Sequence, residues 1–149
     1  MRTILISLAV TFSVSMPAMA MTDAECRSMW TQADANKDGV LGGTEGDHYM
    51  AMMRVANKPM GSDAAINEAI FNENCKSDVF KMSAVEAGAP LEGANSFTET
   101  QAKDRVVANG LAMPATMAKD DKGIWRGTAM KDGKNVNVAV DFKGNVVIQ

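Results

Sequence analysis

The spacing of hydrophobic and polar positions changes along the chain and divides it into two regions. Between residues 22 and 56, apolar side chains recur every three or four positions, which is typical of helices with one buried face. They form two groups around a polar stretch: Cys26, Met29, Trp30 and Ala33, then Tyr49, Met52, Met53 and Ala56. From residue 135 the spacing becomes two. Val136, Val138, Val140 and Phe142 alternate there with Asn135, Asn137 and Asp141. The pattern predicts a helical first region and a strand-rich last region.

Start and stop signals refine these boundaries. Thr22 and Glu25 have the spacing of a capping box at the start of the first helix. Thr98 and Gln101 open a later helix that is expected to stop at Gly110 and to turn Ala102, Val106 and Val107 inward. Strands are expected over 116–119, 124–130, 136–142 and 146–148, with Asp132-Gly133 as a hairpin turn. Residues 88–96, which are small and include glycine and proline, are interpreted as a linker.

The first twenty residues have the pattern of an export signal. Arg2 precedes an apolar run from Ile4 to Val14, and Pro17 and the triplet Ala18-Met19-Ala20 follow it. We therefore expect residues 1–20 to be a signal peptide cleaved after Ala20, and the mature protein to be periplasmic or secreted. The apolar run is shorter than the roughly 20 residues that a membrane span needs, so no membrane span is expected.

Composition excludes some classes of function. The chain has 15 basic and 18 acidic residues, a net charge of −3, which argues against nucleic acid as a partner and against a general attraction to membranes. His48 is the only histidine, and no serine lies in a nucleophile-elbow context. We expect no catalytic residues and no enzyme activity.

Cys26 and Cys75 are the only cysteines. In an oxidising compartment such a pair predicts a disulfide, which would stabilise a small exported core. The alternative is a thiolate metal site, for which two cysteines and a single histidine make a poor ligand set.

The polar stretch from Asp34 to Glu45 has the residue types of a calcium loop. Calcium takes six to eight oxygen ligands, and this loop supplies carboxylate, amide and backbone oxygens at alternate positions. Gly39 allows the sharp turn around the ion, and Gly42 leaves one coordination position to water. One Ca²⁺ is expected, and its predicted ligands are Asp34, Asn36, Asp38, Val40 (through its carbonyl) and Glu45.

With a helical pattern on each side, this loop resembles the EF-hand calcium-binding family. Residues 21–87 are accordingly expected to form a mainly α EF-hand pair, because a single hand leaves one apolar face exposed. Ser62 would cap the second hand's entering helix through Ile66, Ala69, Ile70 and Phe71. Its loop would start at Cys75, with Met82 at the eighth position and Glu86 at the twelfth. This second loop lacks the carboxylates that calcium needs, so it is expected to be degenerate and structural.

Residues 97–149 end in Val140-Asp141-Phe142-Lys143-Gly144-Asn145-Val146-Val147 and are similar to the PepSY-like domain. That resemblance implies a small α+β unit in which one helix lies on an antiparallel sheet. It also implies a protein that restrains proteases or binds a partner at the cell envelope, with the C-terminal sheet as the contact surface. Trp125 and Met130 could form that surface, although apolar strand residues are more often core.

Other hypotheses about the function stay open. His48, Met50, Met52 and Met53, with Met60, could hold copper, because thioethers suit Cu(I), but methionine is also ordinary packing material. A lanthanide could use the same oxygen loop as calcium. The main hypothesis is an exported calcium-binding protein that buffers or senses the ion. The alternative is an envelope interaction or inhibitor protein in which calcium is only structural.

Overall fold

The computed structural model describes residues 20–61, 65–81 and 88–149, and within them the chain is an α+β mix. The helices are α1 Asp23–Ala33, α2 Gly43–Val55, α3 Glu68–Lys76 and α4 Glu99–Ala108. The strands are β1 Val40–Leu41, β2 Ile66–Asn67, β3 Ala118–Lys119, β4 Trp125–Lys131, β5 Lys134–Val140 and β6 Val146–Ile148. No helix among the described residues is long and apolar enough to cross a membrane. The predictions for residues 1–19, Ser62, Met82 and Glu86 lie outside the described residues.

The first helix begins as its capping box predicts. The Thr22 hydroxyl accepts a hydrogen bond from the Glu25 amide at 3.3 Å, and the Glu25 carboxylate accepts one from the Thr22 amide at 2.7 Å. Two donors that no helical carbonyl can reach are thereby satisfied. α1 buries Cys26 and Trp30 against the core of the helical region.

The short strands β1 and β2 pair antiparallel, with Leu41 opposite Ile66 and Val40 opposite Asn67. The predicted helix through Ile66 was therefore wrong at this position. α3 begins at Glu68, where the Asn67 side chain accepts a hydrogen bond from the Ile70 amide at 2.9 Å. Ile66 is β-branched and fully buried beside Leu41, so a strand contact prevails over helix propensity here.

This pairing changes the expected second hand. Leu41, the eighth residue of the loop from 34 to 45, pairs with Ile66, which precedes the second loop that the sequence predicted to start at Cys75. Cys75 lies inside α3, which ends at Lys76, and not at the first position after a helix. The EF-hand pair is thus not confirmed, and the described residues show a helix–loop–helix whose loop pairs with the strand before α3.

The predicted disulfide is present, joining Cys26 of α1 to Cys75 of α3. Both cysteines are fully buried, next to a cluster of aromatic rings. The cluster contains Trp30, Tyr49, Phe71 and Phe80, and the centroids of its contacting ring pairs are 4.8–5.3 Å apart. The covalent link and this cluster hold α1, α2 and α3 around one core.

The C-terminal region has one helix on an antiparallel sheet, as predicted. The strand order is β3-β4-β5-β6, and α4 packs on one face through Ala102 and Val106. The hairpin between β4 and β5 turns at Asp132 and Gly133, whose φ angles are 50° and 74°, as a two-residue turn of this kind requires.

Asp141 departs from the predicted polar face of the last long strand, because its side chain is buried. It is 1 % exposed. One carboxylate oxygen accepts the amides of Lys143 and Asn145 at 2.9 and 3.0 Å. The other accepts the Asn145 side-chain amide at 2.9 Å and the Leu91 amide at 3.3 Å. The carboxylate therefore ties residues 88–96, expected as a linker, to the last turn of the sheet.

Candidate metal centre

The loop from residue 34 to residue 45 connects the end of α1 to the first turn of α2. Asp34 is the C-cap of α1, and its amide donates to the Trp30 carbonyl at 2.9 Å. Lys37 and Gly39 have φ angles of 61° and 83°. Backbone at positive φ reverses the chain twice within three residues, so the loop closes on itself.

The Asp34 carboxylate lies inside this turn and is 7 % exposed. Its two oxygens accept the amides of Asp38 and Gly39, both at 3.2 Å. A carboxylate has about four lone-pair sites, so two amides leave others for a ligand. These bonds hold the side chain toward the interior of the loop.

Asn36 and Asp38 line the next part of the turn and are both exposed. The side-chain Oδ1 of Asn36 accepts a hydrogen bond from the Asp38 amide at 2.8 Å, and the Asp38 carboxylate accepts one from the Val40 amide at 2.9 Å. The Asn36 side-chain amide also donates to Asp38 at 3.0 Å. Val40 then begins β1, so any ligand from it would be its carbonyl, as the sequence predicts.

Glu45 closes the loop from the first turn of α2. Its Oε1 accepts the amides of Ala35 and Asn36 at 2.8 and 3.0 Å, so the last loop residue is bonded to the second and third. These hydrogen bonds bring the carboxylate of α2 to the end of α1.

One carboxylate oxygen from each of Asp34, Asp38 and Glu45 lies within 4.8 Å of the other two. The cluster lies at the C-terminal end of α1, whose last turn has no basic residue. The C-terminus of α1 carries partial negative charge and repels Asp34, and the three clustered carboxylates repel one another, whereas the N-terminus of α2 favours Glu45. A bound cation would offset both repulsions.

A residue that the sequence reasoning missed, Gly46, positions this site. A Cβ at Gly46 would lie 2.6 Å from the Leu41 carbonyl oxygen, closer than real contacts allow. The missing side chain lets the start of α2 approach β1 closely. A glycine inside a helical pattern is the signal that would have indicated this approach.

The methionines proposed as copper ligands pack in the core of the helical region. Met50, Met52 and Met53 are at most 8 % exposed and contact the same buried cluster as Trp30 and Phe71. Their thioethers fill space between the helices and do not line an open site.

Comparison of the chain with protein-family models, curated proteins and solved structures found no match. The EF-hand and PepSY-like resemblances therefore stay predictions from sequence motifs.

Proposed function

We propose that the chain is a calcium-binding protein that holds one Ca²⁺ in an EF-hand-type loop between Asp34 and Glu45. The observation that carries the proposal is the convergence of the Asp34, Asp38 and Glu45 carboxylates within 4.8 Å. Asn36 and the carbonyl of Val40 would complete the protein ligands, and water would occupy the position next to Gly42.

The donor set supports a hard cation. Each proposed ligand atom is an oxygen, and within the described residues no histidine or cysteine joins the acidic cluster. Glu45 can offer two oxygens, which suits the six to eight ligands of calcium better than the octahedral shell of magnesium. Three carboxylates in one loop support a dissociation constant between about 1 µM and 1 mM, as in calcium sensors and extracellular modules.

The disulfide between Cys26 and Cys75 is compatible with an oxidising compartment, and it supports export as part of the proposal. The hydrogen bonds inside the loop support a stabilising role for the ion. Hydrogen bonds already shape the turn, and an ion there would mainly relieve repulsion between carboxylates.

Calorimetric titration tests the proposal. Ca²⁺ should bind with a stoichiometry of one, and Mg²⁺ should bind at least about tenfold more weakly. Asp34→Asn and Glu45→Gln should each weaken calcium binding by about tenfold or more, because each removes a charged ligand. Asp121→Asn, an exposed carboxylate outside the loop, is the matched control and should leave binding unchanged.

Two results would reject the calcium assignment. One is the absence of binding heat at millimolar Ca²⁺ together with no calcium-dependent change in the amide spectrum of the loop. The other is equal weakening by Asp121→Asn and Asp34→Asn. A parallel titration with La³⁺ tests the lanthanide alternative. That alternative requires La³⁺ to bind the Glu45→Gln variant more tightly than the higher charge of La³⁺ alone would give.

A further inference from the structure

A groove lies where α2 meets the end of α4 and the segment after it. Its volume is about 640 Å³, within the range of roughly 300–1,000 Å³ that is typical of small-molecule sites. Thr44, Asp47 and His48 of α2 line one side. The other side is formed by residues 110–114. We call this feature the α2–α4 groove.

The wall formed by residues 110–114 is apolar and rigid. Leu111 is 2 % exposed and packs into the core under the sheet, whereas Met113 is 74 % exposed. On either side of Met113, Ala112 exchanges backbone hydrogen bonds with Met130 at 2.8 and 2.9 Å, and the Ala115 amide donates to Thr128 at 2.8 Å. The segment is thus pinned to β4 while the Met113 side chain projects outward.

Met113 also has a strained backbone, with a φ of 46°. A side chain at positive φ persists only where its surroundings impose it, and such residues cluster at binding and catalytic sites. Methionine is flexible and polarisable, which suits an adaptable contact with an apolar ligand.

The wall formed by α2 accepts hydrogen bonds and carries one uncompensated charge. The Nδ1 of His48 donates to the Val107 carbonyl at 2.8 Å, so Nε2 of the neutral ring is an acceptor. The Arg54 guanidinium, also on this side, is bonded to Asp104 at 2.7 and 2.8 Å, which offsets its charge. Within the described part of the chain, the Asp47 carboxylate makes no hydrogen bond or ion pair.

We propose that the α2–α4 groove binds a small organic cation, with an apolar body and an ammonium group. The apolar body would lie against Leu111 and Met113, and the ammonium group would donate to Asp47 and to Nε2 of His48. Among the described residues that line the groove, the only cation is Arg54, which is paired with Asp104, so an anion of the same size would meet the Asp47 carboxylate with nothing there to offset the repulsion. Thr44, which is not a proposed calcium ligand, is the one residue of the loop from 34 to 45 among the described residues that line the groove, so this proposal does not depend on calcium binding.

The test uses three probes with the same ring and different end groups: 2-phenylethylamine, 2-phenylethanol and 3-phenylpropionate. Each is titrated in calcium-free buffer into protein with ¹³C-labelled methionine methyl groups and ¹⁵N-labelled amides, and both sets of signals are observed by NMR. The amine should shift the Met113 methyl signal saturably and bind about tenfold more tightly than the carboxylate. Asp47→Asn should reduce amine affinity to that of the alcohol, and Asp121→Asn should leave it unchanged.

Three outcomes would overturn the proposal. Equal affinities for the three probes would show that no charge is recognised. An unchanged amine affinity in a folded Asp47→Asn protein would remove the proposed partner of the ammonium group. The largest shifts at the Ala35 and Gly39 amides, with none at Met113, would place the amine among the loop carboxylates.

Discussion

The Nδ1 atom of His48 lies 2.8 Å from the backbone carbonyl oxygen of Val107, so the only histidine of the chain joins α2 to α4. An ion pair between Arg54 and Asp104, 2.7 Å long, joins the same two helices further along. α2 also carries Glu45, the residue that closes the candidate metal loop. The helix that would sense the ion is therefore the helix on which the C-terminal region packs.

The first prediction is that calcium stabilises both regions together. Trp30 lies in the helical core and Trp125 lies on β4, so each reports one region. In variants that retain one tryptophan and have phenylalanine at the other position, calcium at 100 times its dissociation constant should stabilise the fold by about 2.7 kcal/mol. The thermal midpoint should rise by about 2–4 °C for each kcal/mol in both fluorescence signals. A rise seen only with Trp30 would contradict coupling through α2.

The second prediction concerns Gly42, the N-cap of α2. Its φ is −131°, which any residue adopts, and a Cβ there would meet nothing within 4 Å. Gly42→Asp should supply a capping oxygen worth a few tenths of a kcal/mol over glycine. It should also tighten calcium binding by placing a carboxylate at the ninth loop position. Gly42→Ala is the matched control without an oxygen. Tighter binding in both variants would show that the added carboxylate is not a ligand.

The features that the sequence predicted best depend on neighbouring residues. The capping boxes at Thr22 and Thr98, the turn at Asp132 and the turn of the loop from 34 to 45 each satisfy their own backbone within a few positions. The disulfide followed from the count of cysteines. The alternation of Val136, Val138 and Val140 likewise reports burial along one strand.

The features that the sequence did not predict depend on distant partners. Ile66 has a helical neighbourhood in the sequence, yet it pairs with Leu41, which lies 25 positions earlier. The alternation along the strand predicts that Asp141 is exposed, but its carboxylate is buried and accepts a hydrogen bond from the Leu91 amide, 50 positions away. The carboxylate cluster could be predicted from spacing, but the close approach of Gly46 to Leu41 could not.

The third prediction is that Gly46→Ala destabilises the protein, although alanine favours a helix by about 1 kcal/mol. The added Cβ would lie 2.6 and 2.8 Å from backbone atoms of Leu41, which a side-chain rotation cannot relieve. α2 and β1 must separate, so calcium affinity should fall together with the free energy of unfolding. Urea unfolding and calorimetry measure both quantities. A variant that is more stable and binds calcium normally would refute the packing role of Gly46.

The fourth prediction is that loss of the disulfide has a large effect on stability. The bond joins residues 49 positions apart. Closing a loop of this length lowers the entropy of the unfolded chain, which raises the free energy of unfolding by about 4 kcal/mol. The Cys26→Ala, Cys75→Ala double variant should unfold at a much lower urea concentration than the oxidised protein. The oxidised protein treated with a reductant should behave like the double variant. A reductant that leaves the unfolding midpoint unchanged would contradict the expected role of this bond.

The fifth prediction concerns Asp141 and acid. Burial alone would raise the pKa of this carboxyl, but hydrogen bonds from Asn145, Leu91 and Lys143 hold it below its ordinary value of 3.8. A carboxyl with a lowered pKa contributes stability above its unfolded value, and this contribution is lost as the pH falls through the folded value. Asp141→Asn turns a side-chain NH₂ group toward two of these donors, so it should lower the free energy of unfolding by about 2 kcal/mol or more at pH 7. Urea unfolding between pH 7 and pH 3 should show the difference from the unsubstituted protein shrinking below about pH 4. A difference that stays constant to pH 3 would show that the ionised form of Asp141 does not stabilise the fold.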